Sequence, residues 1–198
     1  TVEWQADSPR PLAGVIRMLE KGQTADAILL LELFKSARPD DPAVLYNLGM
    51  AYSDLNEMER AVLNLRRLLE LDAQHVNGRI AYGVALMRQG QDRRAEIELR
   101  KAVETDPQNP WAQRNLGGCL IQLGKYQEAL PYLKLAVEVN PTDDRAWFGL
   151  GKAYELTGNL EDADDAYHKA LEIDEYGDAA EHHDARLNFI SELIRQIP

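Results

Sequence analysis

The sequence predicts an all-α protein, a stack of five helix-turn-helix units, and three observations lead there. Glycines recur at Gly49, Gly83, Gly117 and Gly151, each 34 residues after the last, and Ala27, Ala61, Ala95, Ala129 and Ala163 keep the same step. A second series, Gly22, Gly90, Gly124 and Gly158, shares a phase that Asn56 also occupies. Each window holds two segments whose apolar side chains return at spacings of three and four, as on one face of a helix. Leu48, Ala51, Tyr52 and Leu55 show this around Gly49. No insertion or deletion breaks the register, and internal repetition of this period marks a stacked-repeat architecture.

The windows are 8–41, 42–75, 76–109, 110–143 and 144–177. In the first, Val15 stands where the later windows have a glycine, and Pro9 and Pro11 predict a shortened first helix that starts near Pro11, where a missing N–H is tolerated. The second carries Leu48, Gly49 and Ala61, with Ala73 in place of the proline that closes others at Pro39, Pro107 and Pro141. A glycine inside a helix costs roughly 1 kcal/mol relative to alanine. Gly49 with Ala61 therefore reads as a small pair that lets the two helices of one hairpin approach closely. The third window turns at Q-G-Q (89–91) and the fourth at L-G-K (123–125). Glycine after a helix supplies the left-handed cap conformation. Cys119, within Leu116, Cys119, Leu120 and Leu123, reads as a small buried residue. The fifth window turns at T-G-N (157–159) and has Glu175 where a proline would close it.

Two short helices cannot bury their apolar faces alone, so neighbouring units must stack. Stacking leaves the last unit with an exposed apolar side. The segment 178–198 answers it with one stripe, Ala180, His183, Leu187, Ile190, Ile194 and Ile197, which predicts a capping helix. Residues 1–7 form an N-terminal tail. The chain does not begin with Met, which implies a processed product or an excerpt of something longer. Its first residues carry no secretory signal pattern, and the expected location is cytoplasmic.

Composition narrows the function classes. With 45% hydrophobic and 28% charged residues the chain is of globular type, and it has no run of about 18 apolar residues that would span a membrane. A net charge of −11 argues against general affinity for nucleic acid or anionic membrane, which needs clustered Lys and Arg. No phosphate-binding glycine loop, nucleophile elbow or zinc-protease motif is present. His182 and His183 point about 100° apart on a helix and cannot share one metal, and Asp178 with His182 reads as a solvated face. The acids Glu161, Asp162, Asp164 and Asp165 fall at a helix start, where they favour the positive dipole end. No catalytic residue, cofactor or metal site is expected.

These residues resemble the tetratricopeptide repeat (TPR) family, whose unit reads W-x2-L-G-x2-Y, then A, F, A and P. The best-matching window has Trp147, Leu150, Gly151, Tyr154, Ala163, Tyr167 and Ala170. The resemblance covers nearly the whole chain and implies a right-handed α-solenoid whose first helices line a concave groove. Helical spacing then selects the groove residues: Tyr46, Asn47 and Met50; Asn77, Ile80, Met87 and Arg88; Trp111, Arg114 and Asn115; Arg145, Phe148 and Lys152. Apolar groups rimmed by polar ones tend to mark a binding surface. Tighter packing that buries several of them is the alternative.

Asn47 and Asn115 share one repeat position, and an asparagine side chain can both donate to and accept from a peptide backbone. In several TPR families that position contacts ligand backbone; Ala81 and Gly149 break the series here. Arg88, Arg114, Arg145 and Lys152 add positive charge to the same face, which suits a partner carrying carboxylates. A chaperone-type carboxylate clamp would need lysine and asparagine where Tyr46 and Met50, or Ile80 and Val84, stand, and it is rejected. The expected function is a non-catalytic interaction module that binds a peptide segment of another protein. Two alternatives stay open: a self-assembling scaffold, or the targeting arm of a larger enzyme.

Overall fold

A computed structural model of the chain describes residues 10–173, and in them every regular element is an α-helix. They are α1 (Arg10–Glu20), α2 (Thr24–Ala37), α3 (Pro42–Asp54), α4 (Met58–Leu71), α5 (Val76–Arg88), α6 (Asp92–Thr105), α7 (Pro110–Gln122), α8 (Tyr126–Val139), α9 (Asp144–Thr157) and α10 (Leu160–Ile173). The predicted capping helix, 178–198, and the tail, 1–7, lie outside the described residues. Helix starts keep the sequence period: α3, α5, α7 and α9 begin at 42, 76, 110 and 144, while α2, α4, α6, α8 and α10 begin at 24, 58, 92, 126 and 160. α1 is described over 11 residues, against 13 or 14 for the others.

Local chemistry fixes both ends of the helices. The residue that closes one window caps the first helix of the next. Asp41 Oδ1 accepts from the N–H groups of Ala43 (3.0 Å) and Val44 (3.3 Å), and Asn109 Oδ1 from Ala112 (3.1 Å). Asp143 Oδ1 does the same for Ala146 (3.2 Å), and His75 Nδ1 for Gly78 (2.9 Å). Each satisfies a donor that the first turn leaves without a helical partner. Between the two helices of a unit the chain turns through the left-handed region at Gly22, Gly90, Gly124 and Gly158, with φ from 72° to 85°, and at Asn56, with φ 60°. The shared phase read from the sequence is thus a shared backbone requirement.

The chain divides into two compact units, 1–91 and 92–198. In the first, α2 packs on α1 and α3, α4 on α3 and α5, and α3 also touches α1 and α5. In the second, each of α6 to α10 packs on the next, and α7 also meets α9. The repeated alanines Ala27, Ala61, Ala95, Ala129 and Ala163 are fully buried. The repeated glycines admit a large side chain from the facing helix. A Cβ on Gly49 would lie 2.4 Å from Leu65 Cγ, one on Gly117 2.5 Å from Leu133 Cγ, and one on Gly151 2.7 Å from Tyr167 Cδ1. The glycine is therefore a notch for a large side chain, four residues after the buried alanine.

A second periodic device ties the last three helix pairs to the turn that precedes each. Arg79 Nη2 donates to the carbonyl of Ala73, Gln113 Nε2 to that of Pro107 (2.7 Å) and Trp147 Nε1 to that of Pro141 (2.9 Å), always six residues back. Cys119 is buried and its thiol donates to the carbonyl of Asp92 at 3.4 Å. Burial pushes that thiol up to about 11, so it is a packing residue as read from the sequence.

Candidate functional site

The residues selected from helical spacing fall on two faces, one in each compact unit. On the first, α3 supplies Tyr46, Asn47 and Met50, and α5 supplies Asn77, Ile80, Met87 and Arg88. Asn77, Met50 and Arg88 are exposed, while Tyr46, Asn47 and Met87 are half-buried. The Tyr46 ring packs 5.4 Å from that of His75, the cap of α5, and burial raises its phenol above the ordinary value. Asn47 Nδ2 donates to the carbonyl of Ala43 one turn back, at 2.7 Å.

Two members of this face are not free surface. Ile80 is only 8% exposed, because α5 packs on both α3 and α4 and closes over it; it belongs to the core. Arg88 Nη1 donates to the Ser53 carbonyl (3.0 Å) and to its hydroxyl (3.2 Å), so its charge neutralises the C-terminal end of α3.

On the second face, Trp111 stands 51% exposed on α7. Asn115 Nδ2 donates to its carbonyl at 2.7 Å, the same backbone contact that Asn47 makes one face earlier. Arg145 is exposed on α9 and Lys152 half-buried on it. Arg114 and Phe148 are engaged elsewhere. Arg114 Nη1 meets Asp143 Oδ2 at 2.6 Å while Oδ1 of the same carboxylate caps α9, so its fork is committed to a helix junction rather than offered to a ligand. Asp143 is buried, which makes the pair costly to break. Phe148 leans on Tyr167 of α10, ring centres 5.4 Å apart, and Tyr167 in turn donates from its hydroxyl to Glu155 Oε2 at 2.7 Å.

What remains accessible is an exposed tryptophan on α7 with an arginine and a half-buried lysine on α9 in one unit, and asparagine, methionine and tyrosine in the other. Asp143, Ser53 and Tyr167 decide which residues are accessible, and reading each helix singly missed them. Asp143 carries a legible signal, since an aspartate just before a helix start is a cap; its second partner, Arg114, lies 29 residues upstream. Among the described residues no group of three or more His, Cys, Asp or Glu could hold a metal ion. No helix there is long and apolar enough to cross a membrane.

Comparison with known proteins agrees with this architecture. Family models described as Tetratricopeptide repeat match residues 16–75, 46–110 and 109–176, and the chain belongs to the tetratricopeptide repeat family. Its fold class is the all-α helical repeat solenoid, which in general serves as a non-catalytic protein-interaction scaffold. Among solved structures it is similar to TTC0263, a thermophilic TPR protein of Thermus thermophilus, at 26% identity and a TM-score of 0.71, over 93% of this chain and 98% of that one. It is similar to MamA AMB-1 at 28% identity and a TM-score of 0.68, over 82% and 96% of the two chains. MamA from Desulfovibrio magneticus RS-1, at 22% identity and a TM-score of 0.70 over 83% and 93%, shares the fold. No curated protein matches the chain.

Proposed function

We propose that the chain is a non-catalytic adaptor whose first-helix faces take an extended segment of a partner protein, one bearing acidic side chains. The observation that carries this reading is Trp111, half exposed on α7 with Arg145 and Lys152 on the adjoining α9. A large aromatic ring left in water is an anchor for a partner's apolar side chain, and Trp and Arg are the residues that most often dominate such interfaces. Two cations on the adjoining helix select for carboxylates and speed their approach. In this reading Asn115 supplies a polar contact to the backbone of a peptide on its own face, and Asn47 to one on the face of the other unit. A net charge of −11 argues against nucleic acid as the ligand.

Peptides enriched on this protein from a displayed random library provide the test. They should be rich in Asp and Glu, and their affinity should fall with salt. Trp111→Ala and Arg145→Glu should each weaken the enriched peptides by about tenfold or more, on the order of 1.4 kcal/mol. Unchanged affinity in both variants removes this face from the account. Arg114→Glu is not a clean variant for the purpose, because it leaves the buried Asp143 carboxylate without its cation.

A self-assembling scaffold is the second reading, favoured by Ile16, an apolar side chain exposed on α1. Sedimentation across a wide concentration range separates the two, since a strict monomer excludes self-assembly.

A further inference from the structure

One glycine of α7 does nothing for the packing of its own unit. Gly118 lies inside the helix, and a Cβ added there would meet nothing within 4 Å. Its neighbours differ, since a Cβ on Gly117 would strike Leu133 Cγ and one on Gly149 of α9 would lie 3.1 Å from Leu133 Cδ2. At the same place in other windows stand Met50, Val84 and Lys152, all with side chains. Glycine is the poorest helix former after proline, and at Gly118 no contact within the fold offsets that. On the adaptor reading of the Trp111 face, which it presupposes and deepens, we infer that the main chain of the partner segment lies directly against Gly118.

Helix geometry sets Gly118 among the residues already assigned to that face. Trp111 precedes it by seven residues, close to two turns, so both lie on one line along α7. Asn115 stands between them, and the exposed Gln122 follows one turn beyond. Arg145 and Lys152 hold the positions of Trp111 and Gly118 one window later, on α9, which packs on α7. The bare position thus belongs to the same patch as the exposed tryptophan and the two cations. Gly14 on α1 is equally open, but that helix carries no aromatic anchor.

Glycine permits the close approach of another backbone, and the side chains on either side of it suit one. Asn115 commits its Nδ2 to the Trp111 carbonyl at 2.7 Å and keeps Oδ1 to accept from a partner's N–H. Gln122 can both donate and accept. An extended segment offers such groups unpaired, whereas a helix has already used them within itself. The occupant is therefore an extended stretch, its acidic side chains directed to Arg145 and Lys152, and position 118 sets how closely it approaches.

Two variants, measured with library peptides enriched on the parent chain, test the contact. Because an added Cβ meets open space, Gly118→Ala should raise the midpoint of thermal unfolding by a few degrees while weakening the peptides several-fold. Gly118→Leu should keep the helical circular dichroism spectrum and weaken them by about tenfold or more. Methylation of one backbone nitrogen within the bound stretch of a peptide should weaken it comparably. A lowered midpoint in Gly118→Ala overturns the inference, for the glycine then serves the fold. Peptides that bind as helices, or that ignore every backbone methylation, overturn it as well. So does unchanged affinity in Gly118→Leu: if Trp111→Ala still weakens the same peptides, the adaptor reading stands without this contact, and if neither variant matters, both fall. A parent chain that self-associates and becomes monomeric in Gly118→Leu gives the face to a second copy and also overturns it.

Discussion

Gly49 shows how a residue that lowers helix propensity can raise the stability of the whole unit. The space it leaves is filled by Leu65, whose Cγ would sit 2.4 Å from an added Cβ. Leu65 is fully buried and belongs to the helix that faces Gly49, so it cannot swing aside into solvent. Gly49→Ala should therefore destabilise the protein by about 1–3 kcal/mol through overpacking, against a gain of about 1 kcal/mol from helix propensity. Chemical denaturation measures it, and a variant as stable as the parent would contradict the notch. The sequence made the glycine conspicuous, but it could not identify what the glycine admits. Spacing suggested Ala61, and one turn further along the same helix Leu65 fills the space.

At the scale of the element, each helix pair needs one residue in the left-handed region, and the second pair meets that need with Asn56 at φ 60°. Asparagine tolerates this conformation better than other side chains but still less well than glycine. Asn56→Gly should raise the midpoint of thermal unfolding by a few degrees, corresponding to about 0.5–1 kcal/mol. A lowered midpoint would show that the asparagine side chain contributes something the backbone does not explain. Turn phase was fully legible, because a positive φ restricts residue choice at a single position. Accessibility on the first helices was not. Helical spacing finds which side chains share a face, yet Ile80 is covered by packing, Phe148 by a ring on α10, and Arg114 by a carboxylate 29 residues away. Those outcomes depend on neighbouring helices.

For the molecule as a whole, the excess of acids makes their pairing the determinant of acid stability. In the second unit Glu96 accepts from Lys125 Nζ (2.7 Å) and Arg100 Nη2 (2.8 Å), while Arg100 also reaches Glu128 and the Tyr132 hydroxyl (3.1 Å), joining α6 to α8. Burial alone would raise the Glu96 carboxyl, but the hydrogen bonds from Lys125 and Arg100 outweigh it and hold the group below its ordinary 4.5. A carboxylate whose folded value is depressed stabilises the fold above its unfolded value and loses that contribution as pH falls through the folded one. The urea midpoint should thus drop below pH 4.5, and Glu96→Gln should flatten that drop while lowering the midpoint at neutral pH. An unchanged profile would show that the network adds nothing at this scale. The repeat, its count and its turns could be read from the sequence as a single pattern, because 34-residue periodicity is written in the chain itself.

Arg114 and Asp143 are the fifth and last residues of one 34-residue window, 110–143. The contact that seats the next helix is thus wholly encoded by the unit before it. Tyr46 and His75 hold the same two places in window 42–75 and also touch. Copying either window within the gene would copy its coupling along with it. A chain of this kind can grow by duplication without inventing a new seam.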